Sequence, residues 1–220
     1  MKYSAVIFDL DGTIINSMPV WKKAVKELLQ NKGINLNIEM ETKLTKKTTG
    51  LGIKETFVII KEAFNMTDTI ETLIDEQVKI AHKIYKQEVC FIDGFLDFHN
   101  KLKKRQLKNG IATNGNRNSL GLAKNTFNLE KFFGNHIYCV SDVNDISKPA
   151  PDLFLHAAKK LGVQPSKCIV IEDSIFGIKA AKKAGMFCIG INTGNNLQLI
   201  NEADFIVEKY EDINLDTILT

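Results

Sequence analysis

The stretch FDLDGTIINS, residues 8–17, decides the fold. It closes the apolar run AVIF, residues 5–8, a short segment with a β-branched centre that reads as a buried strand. Asp9 and Asp11 then stand one residue apart where that strand should end, and Asp11-Gly12 carries a turn signal. Two carboxylates at the mouth of a core need a compensating cation, because burial and mutual repulsion both disfavour their charged forms.

Five more short apolar runs read as buried parallel strands: residues 110–113, 136–140, 168–172, 187–191 and 205–207. Between them lie amphipathic segments. PVWKKAVKELLQNKG (19–33) predicts a helix with Ser17 as N-cap and Gly33 beyond its end, and PDLFLHAAKKLG (151–162) and SIFGIKAAKKAG (174–185) repeat the design. Regular alternation from about Phe91 onward predicts an α/β fold with a doubly wound, mostly parallel sheet. Residues 15–90 differ. They show helical periodicity in LLQNKG, IKETFVIIKEAF and IETLIDEQVKIAHKIYKQ and no strand, so an all-helical domain is expected to interrupt the sheet after its first strand. The expected division is a core of residues 1–15 and 91–220 with a helical cap of residues 16–90, the return to the core lying at the Asp93-Gly94 turn.

With 220 residues the chain can build one core plus a smaller appended domain. Its 44% hydrophobic and 25% charged residues exclude disordered and collagen-like classes. No apolar run approaches the roughly 20 residues of a membrane span. The start MKYSAVIFDL lacks a signal-peptide core, so a cytoplasmic location is expected. The formal charge of +3 is spread out, and the one basic cluster, KLKKR (101–105), reads as the solvated face of a helix, which argues against a nucleic-acid partner. Cys90, Cys139, Cys168 and Cys188 have no metal-site spacing and read as small buried hydrophobes. His82, His99, His136 and His156 read as surface or packing residues.

Ligands of open α/β sheets bind outside the carboxyl ends of the strands. There the sequence delivers Asp9 and Asp11, then Thr113 and Asn114, then Lys148, then Glu172 and Asp173. A hard, all-oxygen donor set suits Mg²⁺, which keeps waters and substrate phosphate oxygens among its ligands. The inventory therefore points to phosphoryl transfer with an Asp nucleophile. Taken alone, Asp11-Gly12 is a turn, Lys148-Pro149 a loop, and Glu172-Asp173-Ser174 a helix cap. Their order across four strand ends is what assembles them into a site.

In order and spacing, FDLDGTIINS, Thr113-Asn114, KPAPDLF (148–154) and IEDSIFGIKAAKKAGM (171–186) resemble the four motifs of the haloacid dehalogenase-like hydrolase superfamily, over nearly the whole chain. The helical insert looks like the α-helical cap of the subgroup that contains sugar-phosphate phosphatases and β-phosphoglucomutases. The resemblance implies a Rossmann-like sheet and a phosphatase of a small phosphorylated metabolite, a sugar or polyol phosphate. By analogy Asp9 is the nucleophile that becomes an aspartyl phosphate, and Asp11 the acid that protonates the leaving oxygen and then activates water. Mg²⁺ is implied on Asp9, the backbone carbonyl of Asp11 and Asp173, with Glu172 a direct or water-mediated ligand. Thr113 and Lys148 are implied to hold the phosphoryl group, and the Asn114-Gly115 peptide to add an N–H. No nucleic acid or membrane partner is implied, and the chain is expected to be a monomer or weak homodimer.

Departures from the family pattern narrow the reading. Asn16 stands where many members have Asp, with the chemistry already supplied by Asp9 and Asp11. Trp21 stands at about the place where β-phosphoglucomutase-like members carry a His, which favours a phosphatase over a mutase. The intact pair of Asp residues favours phosphate over the carbon chemistry of dehalogenases. Lys46, Lys47 and Lys54 read as surface or substrate-facing charges rather than a Schiff-base lysine. Substrate selection is expected in the cap, at the loop TTGLG (48–52) through Thr49 and Gly50, a stretch that reads equally as a simple helix–helix turn, and at Lys54, together with Arg117; Lys47 and Asn116 are further candidates. Cap closure is expected to hinge near Asn16 and Asp93. A receiver-like signalling domain, which also joins an acidic pocket to a Thr and a Lys, is shorter, lacks the insert and carries its Asp on a later strand.

Overall fold

The computed structural model describes residues 2–48 and 51–219. It divides into two compact units, Met1–Asn16 with Cys90–Thr220, and Ser17–Val89. Among the described residues six parallel strands, β1 (Ala5–Phe8), β2 (Lys108–Thr113), β3 (Ile137–Cys139), β4 (Cys168–Glu172), β5 (Phe187–Ile191) and β6 (Phe205–Val207), form one sheet in the order β3-β2-β1-β4-β5-β6. Helices α1 (Met18–Asn31), α2 (Ile38–Thr48), α3 (Ile53–Ala63) and α4 (Ile70–Glu88) belong to the second unit. Helices α5 (Phe95–Lys104), α6 (Arg117–Phe127), α7 (Glu130–Phe133), α8 (Asp152–Leu161), α9 (Ile175–Lys183) and α10 (Leu215–Leu219) belong to the first.

The central strands are apolar throughout because both faces of the sheet are covered. Alternate residues Ala5 and Ile7 of β1, with Ala112, Cys168 and Val170, pack against Leu153, Phe154 and Ala157 of α8 and Ile178 of α9. Phe8 points the other way, meeting Phe95, Phe98 and Phe133 edge-on at ring-centroid distances of 5.8, 6.2 and 5.9 Å. Tyr210 and His99 complete this aromatic layer. A fully buried ring of this kind contributes about 3–5 kcal/mol, judged by truncation to Ala.

Local signals explain the helix ends. Gly33, at φ +79°, closes α1 with its N–H on Gln30 O and the Ile34 N–H on Leu29 O, the paired bonds of a Schellman motif. Ser17 holds the N-cap position, but its side chain makes no capping bond; its carbonyl accepts from Val20 and Trp21 instead, and Pro19 sits in the first turn. Ser174 does cap α9, accepting from Gly177 N at 3.1 Å.

In the helical unit α1 packs on α4, burying Val20, Ala24 and Leu28 of one helix and Leu73, Ile80 and Tyr85 of the other. Helix α2 adds to the three helical segments the periodicity predicts. Leu44 is its one buried residue among those described, too thin a stripe to register as periodicity.

Other details differ from the sequence reading. Strand β2 begins at Lys108, two residues ahead of its apolar run, and β3 is trimmed to Ile137–Cys139. The chain returns to the first unit at Cys90 rather than at Asp93-Gly94. There Asn16 N donates to Cys90 O at 2.9 Å, Ile92 N to Ile14 O at 2.8 Å, and Ile15 pairs antiparallel with Phe91. The turn potential of Gly94, at φ +78°, is used to start α5. Cys139, Cys168 and Cys188 are buried, but Cys90 is exposed, because it lies on the connection between units rather than in a strand. In KLKKR only Leu102 is buried, so the cluster is a solvated helix face. No helix among the described residues is long and apolar enough to cross a membrane.

Candidate active site

The chain lays down β1, β2 and β3 toward one edge and then β4, β5 and β6 toward the other. The switch point therefore falls between β1 and β4, the position at which open α/β sheets form their ligand crevice outside the carboxyl ends of the strands. Phe8 pairs with Ile111 on one side and Ile171 on the other, and Asp9 extends the ladder by donating its N–H to Ile171 O at 3.0 Å. Asp9 therefore stands beside Glu172 and Asp173 at that crevice.

After Asp9 the backbone folds into a closed turn. The carbonyl of Leu10 accepts from Thr13, Ile14 and Ile15 at 3.3, 2.9 and 3.1 Å, and Gly12 N donates to Ile15 O at 2.8 Å. Gly12 has φ +93°, and a Cβ there would lie 2.2 Å from Asp173 Oδ2. Glycine is thus required twice over, by its backbone conformation and by the carboxylate packed against it. The Thr13 hydroxyl donates to Asp173 Oδ1 at 3.2 Å and ties the turn to the end of β4.

Lys148 is the hub. Its side chain is almost wholly buried, with Nζ 2.6 Å from Asp9 Oδ1, 2.7 Å from Glu172 Oε1 and 4.6 Å from the centroid of the Phe154 ring. Burial works against the ammonium charge, but Asp9 and Glu172 outweigh it and hold the group well above its ordinary range. Asn114 fixes the same residue from the end of β2, its Oδ1 accepting from Lys148 N at 2.8 Å. Glu172 has both oxygens engaged, Oε1 by Lys148 and Oε2 by the Ser174 N–H and hydroxyl at 2.9 Å each. Thr113 is buried at the end of β2, and its Oγ1 accepts from Gly115 N at 3.1 Å. That bond occupies the Gly115 N–H and orients the hydroxyl.

Asp9, Asp11, Thr113, Asn114, Gly115, Lys148, Glu172 and Asp173 thus all lie at strand ends or in the loops that follow them. The remaining candidates lie elsewhere. Thr49 and Gly50 fall outside the described residues. Lys54 is exposed near the start of α3 in the helical unit, and Lys46 and Lys47 are exposed in the last turn of α2. Arg117 is exposed and paired with Asp142 at 2.8 Å. Asn116 caps α6, accepting from Ser119 N at 2.9 Å. His99 is buried, its Nε2 3.2 Å from Phe132 O, and burial pulls its pKa below the ordinary value.

Four carboxylates here face one ammonium. Burial pushes the Asp9 carboxyl up to about 8, Lys148 pulling it down while Glu172 and Asp11 push it further up. Burial likewise raises Asp173 well above the usual carboxylate range, with Glu172 and Asp9 adding to it. A cation is the group that relieves such a set. Glu172 has both oxygens on protein donors, whereas the bonds described above engage one oxygen each of Asp9 and Asp173, and Asp11 is the fourth carboxylate of the set. One or two carboxylates completed by waters and phosphate oxygens is the habit of Mg²⁺. The donor set therefore fits Mg²⁺.

The structure also brings in residues that the sequence reading did not single out. Thr13 lies inside the opening stretch, where its bond to Asp173 has no local signature. Thr193, in the loop after β5, donates from Oγ1 to Gly12 O at 2.5 Å, and the buried Tyr210 donates from its hydroxyl to Thr13 O at 2.9 Å. Both lie more than 180 residues downstream of their acceptors, beyond the reach of any motif. Phe154 was visible only as an apolar helix position.

An α/β sheet with paired acids after its first strand defines a class, and the comparisons agree. Residues 6–191 match the family described as haloacid dehalogenase-like hydrolase, and the chain belongs to it. It is 27% identical over 211 residues to validoxylamine A 7'-phosphate phosphatase of Streptomyces hygroscopicus subsp. limoneus, covering 96% of each chain. It is also 27% identical over 224 residues to beta-phosphoglucomutase of Bacillus subtilis strain 168, covering 97% of this chain and 93% of that one. A solved HAD hydrolase, family IA, variant 3, from Entamoeba histolytica superposes with a TM-score of 0.84 at 27% identity, covering 98% of this chain and 97% of that chain. The chain is thus an enzyme whose relatives include both a phosphatase and a phosphoglucomutase.

Proposed function

We propose that the protein is a Mg²⁺-dependent phosphatase of small phosphorylated metabolites, sugar or polyol phosphates, acting through an aspartyl phosphate. The observation that carries this reading is the Asp9 carboxylate held at one oxygen by the buried Lys148, at the switch point of the sheet, with Asp11 two residues on and Thr113 at the end of the neighbouring strand.

An Asp9 oxygen attacks phosphorus as the ester P–O bond breaks, and Asp11 gives its proton to the departing alkoxide. Asp11, now a carboxylate, takes a proton from water, which attacks the phosphoryl group and frees Asp9 and inorganic phosphate. Lys148 and the Thr113 hydroxyl hold phosphoryl oxygens through both steps. Glu172 and Asn114 act one layer out, fixing the side chain and the backbone of Lys148. The Asp9 and Asp173 carboxylates and the Asp11 carbonyl would hold Mg²⁺, which would supply positive charge to balance that of the phosphoryl oxygens.

The test is phosphate release from a panel of sugar and polyol phosphates, with Mg²⁺ and after chelation, beside Asp9→Asn. Release should need Mg²⁺ and fall at least about 10³-fold in the variant; retention of release in Asp9→Asn would refute the mechanism. Similarity to beta-phosphoglucomutase supports a second reading, in which Asp9 returns its phosphoryl group to another hydroxyl. Turnover of glucose 1-phosphate that requires a trace of hexose bisphosphate and releases no phosphate would establish it instead.

A further inference from the structure

The turn that carries Asp11 leaves two successive carbonyls, those of Gly12 and Thr13, pointing away from its own hydrogen-bond ring. A buried carbonyl needs a donor. Gly12 O receives the Thr193 hydroxyl at 2.5 Å, and Thr13 O the Tyr210 hydroxyl at 2.9 Å. Tyr210 is 1% exposed, and its ring is gripped by Phe95 and Phe98 at centroid distances of 5.8 and 5.2 Å, so its oxygen has little freedom to move. The same Thr13 donates its own hydroxyl to Asp173. A continuous path therefore runs from the aromatic layer through Tyr210 and Thr13 to Asp173, with Asp11 on the turn it braces.

We propose that Tyr210 and Thr193 are positioning residues that hold the Asp11 turn in the geometry for proton transfer to the leaving oxygen. The inference rests on the role given to Asp11 above. Neither hydroxyl touches the reacting atoms; each fixes a carbonyl one or two residues beyond Asp11. In kcat/KM, which reports only the transfer of the phosphoryl group to Asp9 and not the later step in which Asp11 activates water, a misplaced acid matters only where the leaving group needs a proton. Losing the brace should therefore slow an alkyl phosphate, whose alkoxide is a poor leaving group, and spare p-nitrophenyl phosphate, whose phenolate departs unaided.

The experiment compares kcat/KM for a sugar phosphate and for p-nitrophenyl phosphate in the intact protein and in Tyr210→Phe, which keeps the ring and removes the donor. Expected is a fall of about tenfold for the sugar phosphate, carried by kcat with KM nearly unchanged, and of less than about twofold for the aryl ester. An equal loss on both substrates, or no loss, would overturn the inference while leaving the proposed activity intact. Absence of release from both substrates by the unaltered protein would overturn the proposed activity and this inference with it. Thr193→Val, at a half-buried position, repeats the comparison if Tyr210→Phe does not fold, and is read by the same criteria.

Discussion

Gly177→Ala sets two effects of known sign against each other. In most helices the substitution is stabilising, by up to about 1 kcal/mol, because glycine loses more backbone freedom on folding. Here a Cβ would lie 1.7 Å from Glu172 Oε1 and 1.8 Å from its carboxyl carbon, far inside any real contact. The carboxylate cannot retreat freely, being 1% exposed, 2.7 Å from Lys148 and bonded twice to Ser174. Losing one such charged hydrogen bond costs about 1.5–3 kcal/mol, and loosening the Lys148 pair adds to that. The cost outweighs the gain, for a net loss of about 2 kcal/mol and a melting temperature roughly 4–8 °C lower. Thermal unfolding measures this directly, and kcat/KM should fall with it as Lys148 loses an anchor. In a Glu172→Ala background the obstruction is gone, and Gly177→Ala should become neutral or stabilising. A melting temperature at or above that of the unaltered protein, or strict additivity in the double variant, would refute the reasoning.

Lys148→Met should cost about 3–5 kcal/mol, because it leaves Asp9 and Glu172 buried without their cation. It should also abolish measurable turnover; urea unfolding and phosphate release check the two parts separately. His99 predicts a pH dependence of stability. Burial lowers its folded pKa, so below about 6.5 the unfolded chain binds a proton that the fold excludes. Stability should therefore fall as pH drops from about 6.5 to the folded pKa and level off below it. Urea unfolding at pH 7.5 and 5.5 should show a smaller pH effect in His99→Gln than in the unaltered protein, and identical slopes would refute it.

Much of the fold was legible because its signals are local. A strand buried on both faces must be a short apolar run, so residues 168–172 and 187–191 match β4 and β5 residue for residue. A helix that ends in a Schellman motif needs a residue that tolerates positive φ, and Gly33 announced it. Signals failed where another interaction used the same residue. Ser17 has capping chemistry but makes no side-chain cap, Gly94 starts a helix instead of marking the return of the chain, and Cys90 lies exposed outside the strands. Helix α2 escaped because a helix that buries one leucine leaves almost no stripe to read.

The candidate site divides along the same line. Residue order alone brings Asp9 and Asp11, Thr113, Lys148, then Glu172 and Asp173 to the strand ends, since strand periodicity and turn residues fix where each strand stops. It could not determine how those groups share their bonds. Packing across the sheet is what gives both Glu172 oxygens to Lys148 and Ser174, sets Asn114 on a backbone N–H, and brings Tyr210 and Thr193 to the turn after Asp9. Residue type and spacing are properties of a few neighbouring positions. Hydrogen-bond partnership between groups up to 197 residues apart depends on strand order and on side-chain packing across the sheet, which no local stretch encodes.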